Sequence, residues 1–390
     1  IYLQQRKILL STPQLISKKD LKITSSGLTI PFTGIKKQYS TIRNEILDAT
    51  DEVLRSGQLM NGNYTAEFEN WLARRNHVKY AVTCHSGTQA LEIIAEFGRK
   101  YIHPVPVPPR ALIPSFTYAA TANAFTRAGY EVVLLDTNFH GMADYEKIDL
   151  TLSYQIIVQV GMFGASVSNT RVKNLKGMGV VIEDAAQHWL SDNGNRTGFA
   201  AALSFDPMKN LGNYGNGGAV VTDDLNMLEF ARGWRDNGKP NHDLTGSNSR
   251  MSEIDCAQMI VKSRYIDAWQ KRRGVIVRYW MDRLKGSSIR SLIDETNYST
   301  HAYHKFVVDV DCRDLLKRHL DLHKIETRIH YAQPLHEMPV YQKCSGPDIL
   351  SGASALSRRC LSLPLYPELT DLEVEYVIDQ VLDFSLEKRS

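Results

Sequence analysis

Short apolar runs, each closed by a polar or glycine-bearing turn, recur over 80–223 and alternate with stretches of helical period. The runs fall at 80–84, 111–113, 132–135, 156–160, 179–182, 201–205 and 218–222. Each is apolar enough for a strand covered on both faces. Strand alternating with helix predicts a mostly parallel sheet with helices on its faces, an α/β architecture. Residues 88–97 read as the helix after the first strand, and a long helical pattern occupies 253–284. The last hundred residues read as an α+β unit, with a strand over 303–308 and a closing helix over 371–386. Between the helix over 88–97 and the run at 111–113, residues 101–110 carry Pro104, Pro106, Pro108 and Pro109, which predicts extended backbone and no helix.

Composition narrows the class. The 390 residues are 43% apolar and 23% charged, as in a soluble globular enzyme, and the length supports two or three structural units around a large core. A net charge of +3 gives no argument for nucleic acid or membrane as partner. Five scattered cysteines without a C-x-x-C oppose a disulfide framework, and a reducing cytoplasm is the simplest home. No apolar run approaches the roughly 20 residues of a membrane span. The chain opens on Ile1, and Ile8-Leu9-Leu10 is too short for a signal-peptide core, so 1–30 reads as an extension of unknown role.

The chemistry concentrates between Glu183 and Lys209. Asp184 follows the run 179–182, which places it at the carboxyl end of a parallel strand, where open α/β sheets hold ligands. Lys209 follows the next run, ahead of a glycine-rich turn. A buried acid with an amine opposite it is what pyridoxal 5′-phosphate needs: the lysine to bond it covalently, the acid to keep its ring nitrogen protonated. Charges about 4 Å apart at an effective dielectric near 20 interact by roughly 4 kcal/mol. That is on the order of three pKa units before desolvation takes part of it back. Taken singly, Asp184 also reads as a helix N-cap and Lys209 as a solvated lysine. Other chemistries lack support. The glycines of 212–218 precede a strand and open no helix, against a dinucleotide fingerprint, and there is no Walker lysine or H-E-x-x-H. His330 and His336 stand six apart across Pro334, a poor metal pair, so no metal is expected.

The blocks around this pair resemble the DegT/DnrJ/EryC1/StrS sugar aminotransferases. They are Glu183-Asp184-Ala185-Ala186-Gln187, then Ser204-Phe205-Asp206-Pro207-Met208-Lys209-Asn210-Leu211-Gly212, then Gly215-Asn216-Gly217-Gly218-Ala219-Val220-Val221-Thr222. Upstream, Ser86-Gly87-Thr88-Gln89-Ala90-Leu91 and the segment 114–124 match in family order, as do Ser56-Gly57 to Gly62 and Phe68-Glu69. Downstream, Gly246-Ser247-Asn248-Ser249-Arg250-Met251 and His330-Tyr331-Ala332-Gln333-Pro334-Leu335-His336 continue the match, from about Pro31 onward. The family usually has a shorter connection at 101–110. The resemblance implies the pyridoxal-phosphate transferase fold type I: a large domain over 31–265 with a mostly parallel seven-stranded sheet, and a smaller C-terminal α+β domain over 266–390. It implies that 31–55 packs with the smaller domain.

Residue by residue, the resemblance assigns Lys209 and Asp184 to catalysis. Gly87, Thr88 and Ser204 go to the cofactor phosphate, Tyr118 to the ring face and Gln187 to the phenolic oxygen. Asn248 is assigned to the partner subunit's cofactor in a homodimer, and His330 and Arg250 to substrate. Each also has a plainer reading. Ser-Gly-Thr before a helix is an ordinary N-cap, Tyr118 a core or rim aromatic, Gln187 a surface glutamine that would share a face with Asp184 only if the segment is helical, Asn248 a turn residue and His330 a backbone-satisfied strand end. The implied reaction moves an amino group from glutamate to a nucleotide-linked keto-sugar, at carbon 3 rather than carbon 4, in deoxyamino-sugar or polysaccharide biosynthesis. Lysine at 209, where dehydrating relatives carry histidine, favours amino transfer. A dehydratase or aminoshikimate-type synthase on the same scaffold, and a non-catalytic regulatory protein of the same fold, stay open at this stage.

Overall fold

A computed structural model describes residues 28–387 apart from 104–107, 168–174, 176, 195, 345 and 347–349. Most of the N-terminal extension, and Pro104 and Pro106, lie outside the described residues.

Seven strands form the main sheet: β1 (Tyr80–Cys84), β2 (Arg110–Pro114), β3 (Glu131–Leu135), β4 (Ile156–Val160), β5 (Val180–Asp184), β6 (Ala200–Ser204) and β7 (Gly218–Thr222). Their order is β1-β7-β6-β5-β4-β2-β3. The neighbours from β6 to β3 are parallel, and β7 runs antiparallel to both β6 and β1. Alternation along the strands builds two cores. Ala200 and Ala202 of β6 and Val220 of β7 face the layer that holds α3 (Gly87–Phe97), α4 (Ala119–Arg127) and α5 (Leu225–Trp234). Ala201, Leu203, Ala219 and Val221 face the opposite layer, with α1 (Ile35–Ser56), α2 (Asn63–Arg75) and α6 (Glu253–Ser263). Phe68, Phe205 and Trp189 interlock in that second layer, and burying each contributes about 1.5–3 kcal/mol.

The helical pattern over 253–284 is two helices, α6 and α7 (Ile266–Leu284), broken at Arg264 and Tyr265. A second sheet, β10-β9-β8, joins β8 (Arg290–Ser291), β9 (Phe306–Asp309) and β10 (Cys360–Leu363). It packs with α8 (Arg313–Leu322) and α10 (Asp371–Glu387) in a separate apolar cluster that includes Ile30. Helix α9 (Ser351–Arg359) leads into β10. The start of the described chain ties to this unit through Phe32 N–H to Glu326 (3.0 Å) and Lys37 to Glu373 (2.6 Å). The body of α1 buries Ile42, Ile46, Ala49 and Val53 at helical spacing in the larger unit.

Three local expectations are corrected. The backbone stays helical through Ile102, in a π-helical turn over Gly98–Ile102, because the first proline arrives only at 104. The strand expected over 303–308 begins at Phe306, because Tyr303 is left-handed (φ 49°) and the Lys305 N–H turns away to Phe163 O (3.1 Å). Asp184 and Gln187 share no helical face. Asp184 ends β5, and a tight turn carries the chain to Gln187, with His188 and Trp189 N–H bonding back to Ala185 O.

Candidate active site

The site lies at the carboxyl ends of β4, β5 and β6. Asp184, only 6% exposed, closes β5. Its Oδ2 accepts from Thr121 Oγ1 on α4 (2.7 Å) and its Oδ1 from the Ala186 N–H (3.2 Å). The residue before it, Glu183, points to the other face and anchors the strand. Glu183 Oε2 accepts from Arg196 Nη1 (2.8 Å), and Oε1 from the N–H groups of Thr197 (2.6 Å) and Gly198 (2.9 Å). Because His188 Nδ1 accepts the Gly161 N–H (3.1 Å), its Nε2 carries the proton and donates to Glu183 (3.1 Å). Burial opposes ionisation of Glu183, but Arg196 and His188 outweigh it and hold the carboxyl far below the usual range. Burial also holds His188 below its ordinary value, so it serves as a neutral strut.

Lys209 sits on the turn after β6, its N–H bonded to Asp206 O (2.8 Å). Burial lowers the pKa of its amine, and the charges of Asp184 and Asp206 pull it back up, so the β5 acid acts directly on this amine. The turn is pinned beyond Lys209. Asn210 Nδ2 donates to Ala302 O (2.6 Å) and Asn210 Oδ1 meets His304 Nδ1 (3.2 Å). A Cβ on Gly212 would come within 2.5 Å of Pro207 O, so the return of the chain requires glycine. Lys262 donates to Gly212 O (2.6 Å) while its ammonium lies 3.6 Å over the Tyr214 ring.

At the start of α3, Ser86 is the N-cap, accepting the Gln89 N–H at 3.2 Å. The N–H groups of Gly87 and Thr88 have no protein acceptor among the described residues and point outward with the helix dipole behind them. A Cβ on Gly87 would stand 2.7 Å from that of Ser204, which puts the end of β6 in the same cradle. Ser204 Oγ accepts only a long bond from Asp206 N–H (3.4 Å). Asn248 is exposed on a neighbouring loop, held there by the bond from His85 N–H to Ser249 O (2.6 Å). Arg250, on that loop, lies 3.5 Å from Asp236.

Tyr118 precedes α4, is 60% exposed, and lies 5.9 Å from the Tyr331 ring. Gln187 bridges inward from there. Its Oε1 accepts the Phe163 N–H (3.0 Å) and its Nε2 donates to Tyr331 Oη (3.3 Å). Burial and the Asp184 charge hold the Tyr331 phenol protonated. His330 stacks on Phe32 (5.8 Å) and bonds Ser362 Oγ through Nδ1 (2.9 Å). Burial, then the charges of Lys305 and Lys209, push its pKa down to about 3, so the ring is neutral. His336 is held elsewhere, between Ser115 (2.6 Å) and Ser354 (3.0 Å).

Lys209, Asp184, Gln187 and His330 are thus linked: Asp184 acts on the Lys209 amine and on the Tyr331 phenol, Gln187 bonds Tyr331, and Lys209 acts on His330, while Gly87 and Ser204 stand side by side at the start of α3. Sequence reasoning missed Thr121, Tyr331, Glu183, His304 and Lys305. Thr121 was within reach, in the first turn of the helix that follows Tyr118. Pyridoxal 5′-phosphate fits these residues. The start of α3 offers free N–H groups to a phosphate, and a buried acid acts electrostatically on a nearby amine of lowered pKa. Among the described residues no cluster of histidine, cysteine and acidic side chains could hold a metal ion, and no helix is long and apolar enough to cross a membrane.

Comparison with known proteins agrees over nearly the whole chain. A pleiotropic regulatory protein of Geobacillus stearothermophilus is 30% identical over 374 residues, 92% of this chain and 99% of the relative. A dTDP-3-amino-3,4,6-trideoxy-alpha-D-glucose transaminase of Streptomyces venezuelae is 30% identical over 376 residues, 91% of this chain and 96% of the relative. The crystal structure of S. venezuelae DesV superposes with a TM-score of 0.85 at 30% identity, over 92% of this chain and 98% of that one. With residues 40–382 matching the family's sequence profile, the chain belongs to the DegT/DnrJ/EryC1/StrS aminotransferase family and is a pyridoxal-phosphate-dependent aminotransferase.

Proposed function

We propose that this chain transfers an amino group from glutamate to carbon 3 of a keto-sugar linked to a nucleotide, and that it does so as a homodimer. One observation carries the reading: the Lys209 amine, on the turn after β6, has its pKa lowered by burial and feels the charge of Asp184 at the end of the neighbouring parallel strand β5. The Streptomyces relative, named for amination at carbon 3, supports the choice of position.

Pyridoxal phosphate, when bound, supplies an electron sink for carbanion chemistry at the donor's α-carbon. Asp184 holds a proton on the ring nitrogen, and Thr121, bonded to Oδ2, fixes the carboxylate for that task. The N–H groups of Gly87 and Thr88 and the Ser204 hydroxyl receive the phosphate. Tyr118 covers the ring face and excludes water. Gln187, held by Phe163 and Tyr331, presents an amide to the phenolic oxygen. Lys209 would hold the cofactor covalently, and its desolvated Nζ would take the proton from the donor's α-carbon, a role that typically contributes about 10²–10⁴ in rate. Neutral His330 donates or accepts a hydrogen bond at the sugar, and Arg250 borders the same entrance. Asn248, exposed beside the cradle, reaches the site of a second copy.

A second reading, a regulatory role, has the name of the Geobacillus relative in its favour. The two separate in one experiment. The protein loaded with pyridoxal phosphate is incubated with L-glutamate and a panel of nucleotide-linked 3-keto and 4-keto sugars, and products are read by mass and carbon position. The expected product is an amine at carbon 3 with 2-oxoglutarate released. A product that has lost water without gaining nitrogen, or no turnover with any member, would overturn the proposal.

A further inference from the structure

Lys305 is an amine that the proposed reaction leaves unused. It precedes β9 and is 7% exposed, yet among the described residues its ammonium has no carboxylate or carbonyl partner. Its Nζ lies 5.5 Å from the centre of the Phe32 ring. The side chain lines a cavity shared with Lys209, His304, Arg273 and Glu368. Arg273, also buried, directs Nη1 to Leu365 O (2.9 Å) and Tyr303 O (3.4 Å), and its buried Nε has no hydrogen-bond partner among the described residues. Burial first, then repulsion from Lys209 and Arg273, lowers the Lys305 pKa to about 7, with Asp206 opposing. Glu368, also in the lining, accepts from Gln38 (3.1 Å), and burial raises its pKa. His304 and His330, on either side, are held neutral. A buried cation without a counter-charge costs several kcal/mol and is otherwise rare.

We infer that Lys305, backed by Arg273, is a binding site for a carboxylate carried by one of the substrates. Lys209 lines the same cavity, so an anion held there shares it with the reacting amine. Glu368 opposes a second negative charge, which suits the site to a single carboxylate over a diphosphate. Two substrates could bring that group: the amino donor, or a keto-sugar oxidised to a uronate. The inference rests on the amino-transfer reading for its substrates but not for its anion.

Lys305→Gln and Lys305→Arg test it. In the cofactor-loaded proteins, absorbance follows amination by L-glutamate, and by L-alanine, which lacks the second carboxylate. Matched nucleotide-linked keto-sugars with and without a carboxyl at carbon 6 test the other half. Lys305→Gln is expected to raise the half-saturating concentration of the carboxylate-bearing substrate about 10- to 100-fold, the range for a lost charge-assisted hydrogen bond, with a smaller change in limiting rate. Lys305→Arg recovers most of the loss. A shift confined to glutamate assigns the donor's side-chain carboxylate, one common to glutamate and alanine its α-carboxylate, and one confined to the uronate the sugar's. Equal shifts for both sugars, or none with any substrate, would overturn the inference. Titration calorimetry with glutarate, which has two carboxylates and no amine, reads the site without turnover. Binding that Lys305→Gln leaves unchanged refutes the site even if the wild-type chain aminates nothing, and binding lost in that variant supports it.

Discussion

Replacing Glu183 by glutamine keeps the shape of the side chain and removes its charge. The structure makes that costly. Glu183 and Arg196 are nearly sealed, with side chains 2% and 3% exposed, and both Glu183 oxygens accept hydrogen bonds. An amide nitrogen cannot accept. In one orientation glutamine opposes Arg196 and His188, in the other the N–H groups of Thr197 and Gly198. Either way a buried donor faces a donor, and Arg196 loses its counter-ion. Breaking one half of a buried pair costs about 3–5 kcal/mol. At roughly 2 °C per kcal/mol for a chain of this size, the midpoint should fall by roughly 6–10 °C. The pH dependence supplies the control. The folded pKa of Glu183 lies well below its ordinary 4.5, so its contribution is present above about pH 4.5 and is lost as pH falls towards the folded value. The gap between wild type and variant should therefore narrow below pH 4.5. Thermal and urea melts at pH 7 and across the acid limb measure it. A variant that melts within about 2 °C of wild type at pH 7, or a gap that stays constant into acid, would refute the reasoning.

Gly87→Ala drives a methyl into Ser204 at 2.7 Å and should weaken cofactor binding by about tenfold or more, read by titrating apo-protein with pyridoxal phosphate. Lys262 and Lys305 are both held by burial at a pKa of about 7, against 10.5 when free. The unfolded chain therefore binds more protons between about pH 7 and 10, and stability should rise with pH across that window. Lys262→Met should flatten the rise, as urea titrations at several pH values would show.

The strands were legible because apolar runs of four or five residues bounded by turns have few other uses, and the strands over 80–84, 156–160 and 218–222 begin and end where their runs do. Their order was not legible. Nothing local in Gly218–Thr222 says that it inserts antiparallel between β1 and β6: β6 ends close by at Ser204, but the pairing with β1 reaches back to Tyr80–Cys84, across most of the sheet's sequence. The site divides in the same way. Asp184 and Lys209 stood out because each follows a strand end, and Gly87 because it precedes a helix. Lys305 and Arg273 carry no local signal. One precedes a short strand, the other lies on a helix whose pattern looks merely amphipathic, and only the tertiary fold buries both beside Lys209. The turn at 185–190 misled for a related reason: His188 and Trp189 return to Ala185 over too few residues to leave a helical period.

The most direct test of the account asks which amine bonds the cofactor. Three buried or half-buried lysines with lowered pKa values, Lys209, Lys262 and Lys305, lie in this part of the molecule, so the answer is not guaranteed by chemistry alone. The protein loaded with pyridoxal phosphate is reduced with borohydride, digested, and its peptides weighed. The account predicts one reduced pyridoxyl-phosphate group, on Lys209, and none in a Lys209→Ala variant. A group found on Lys262 or Lys305 in the wild-type chain, or on no lysine at all, would contradict it.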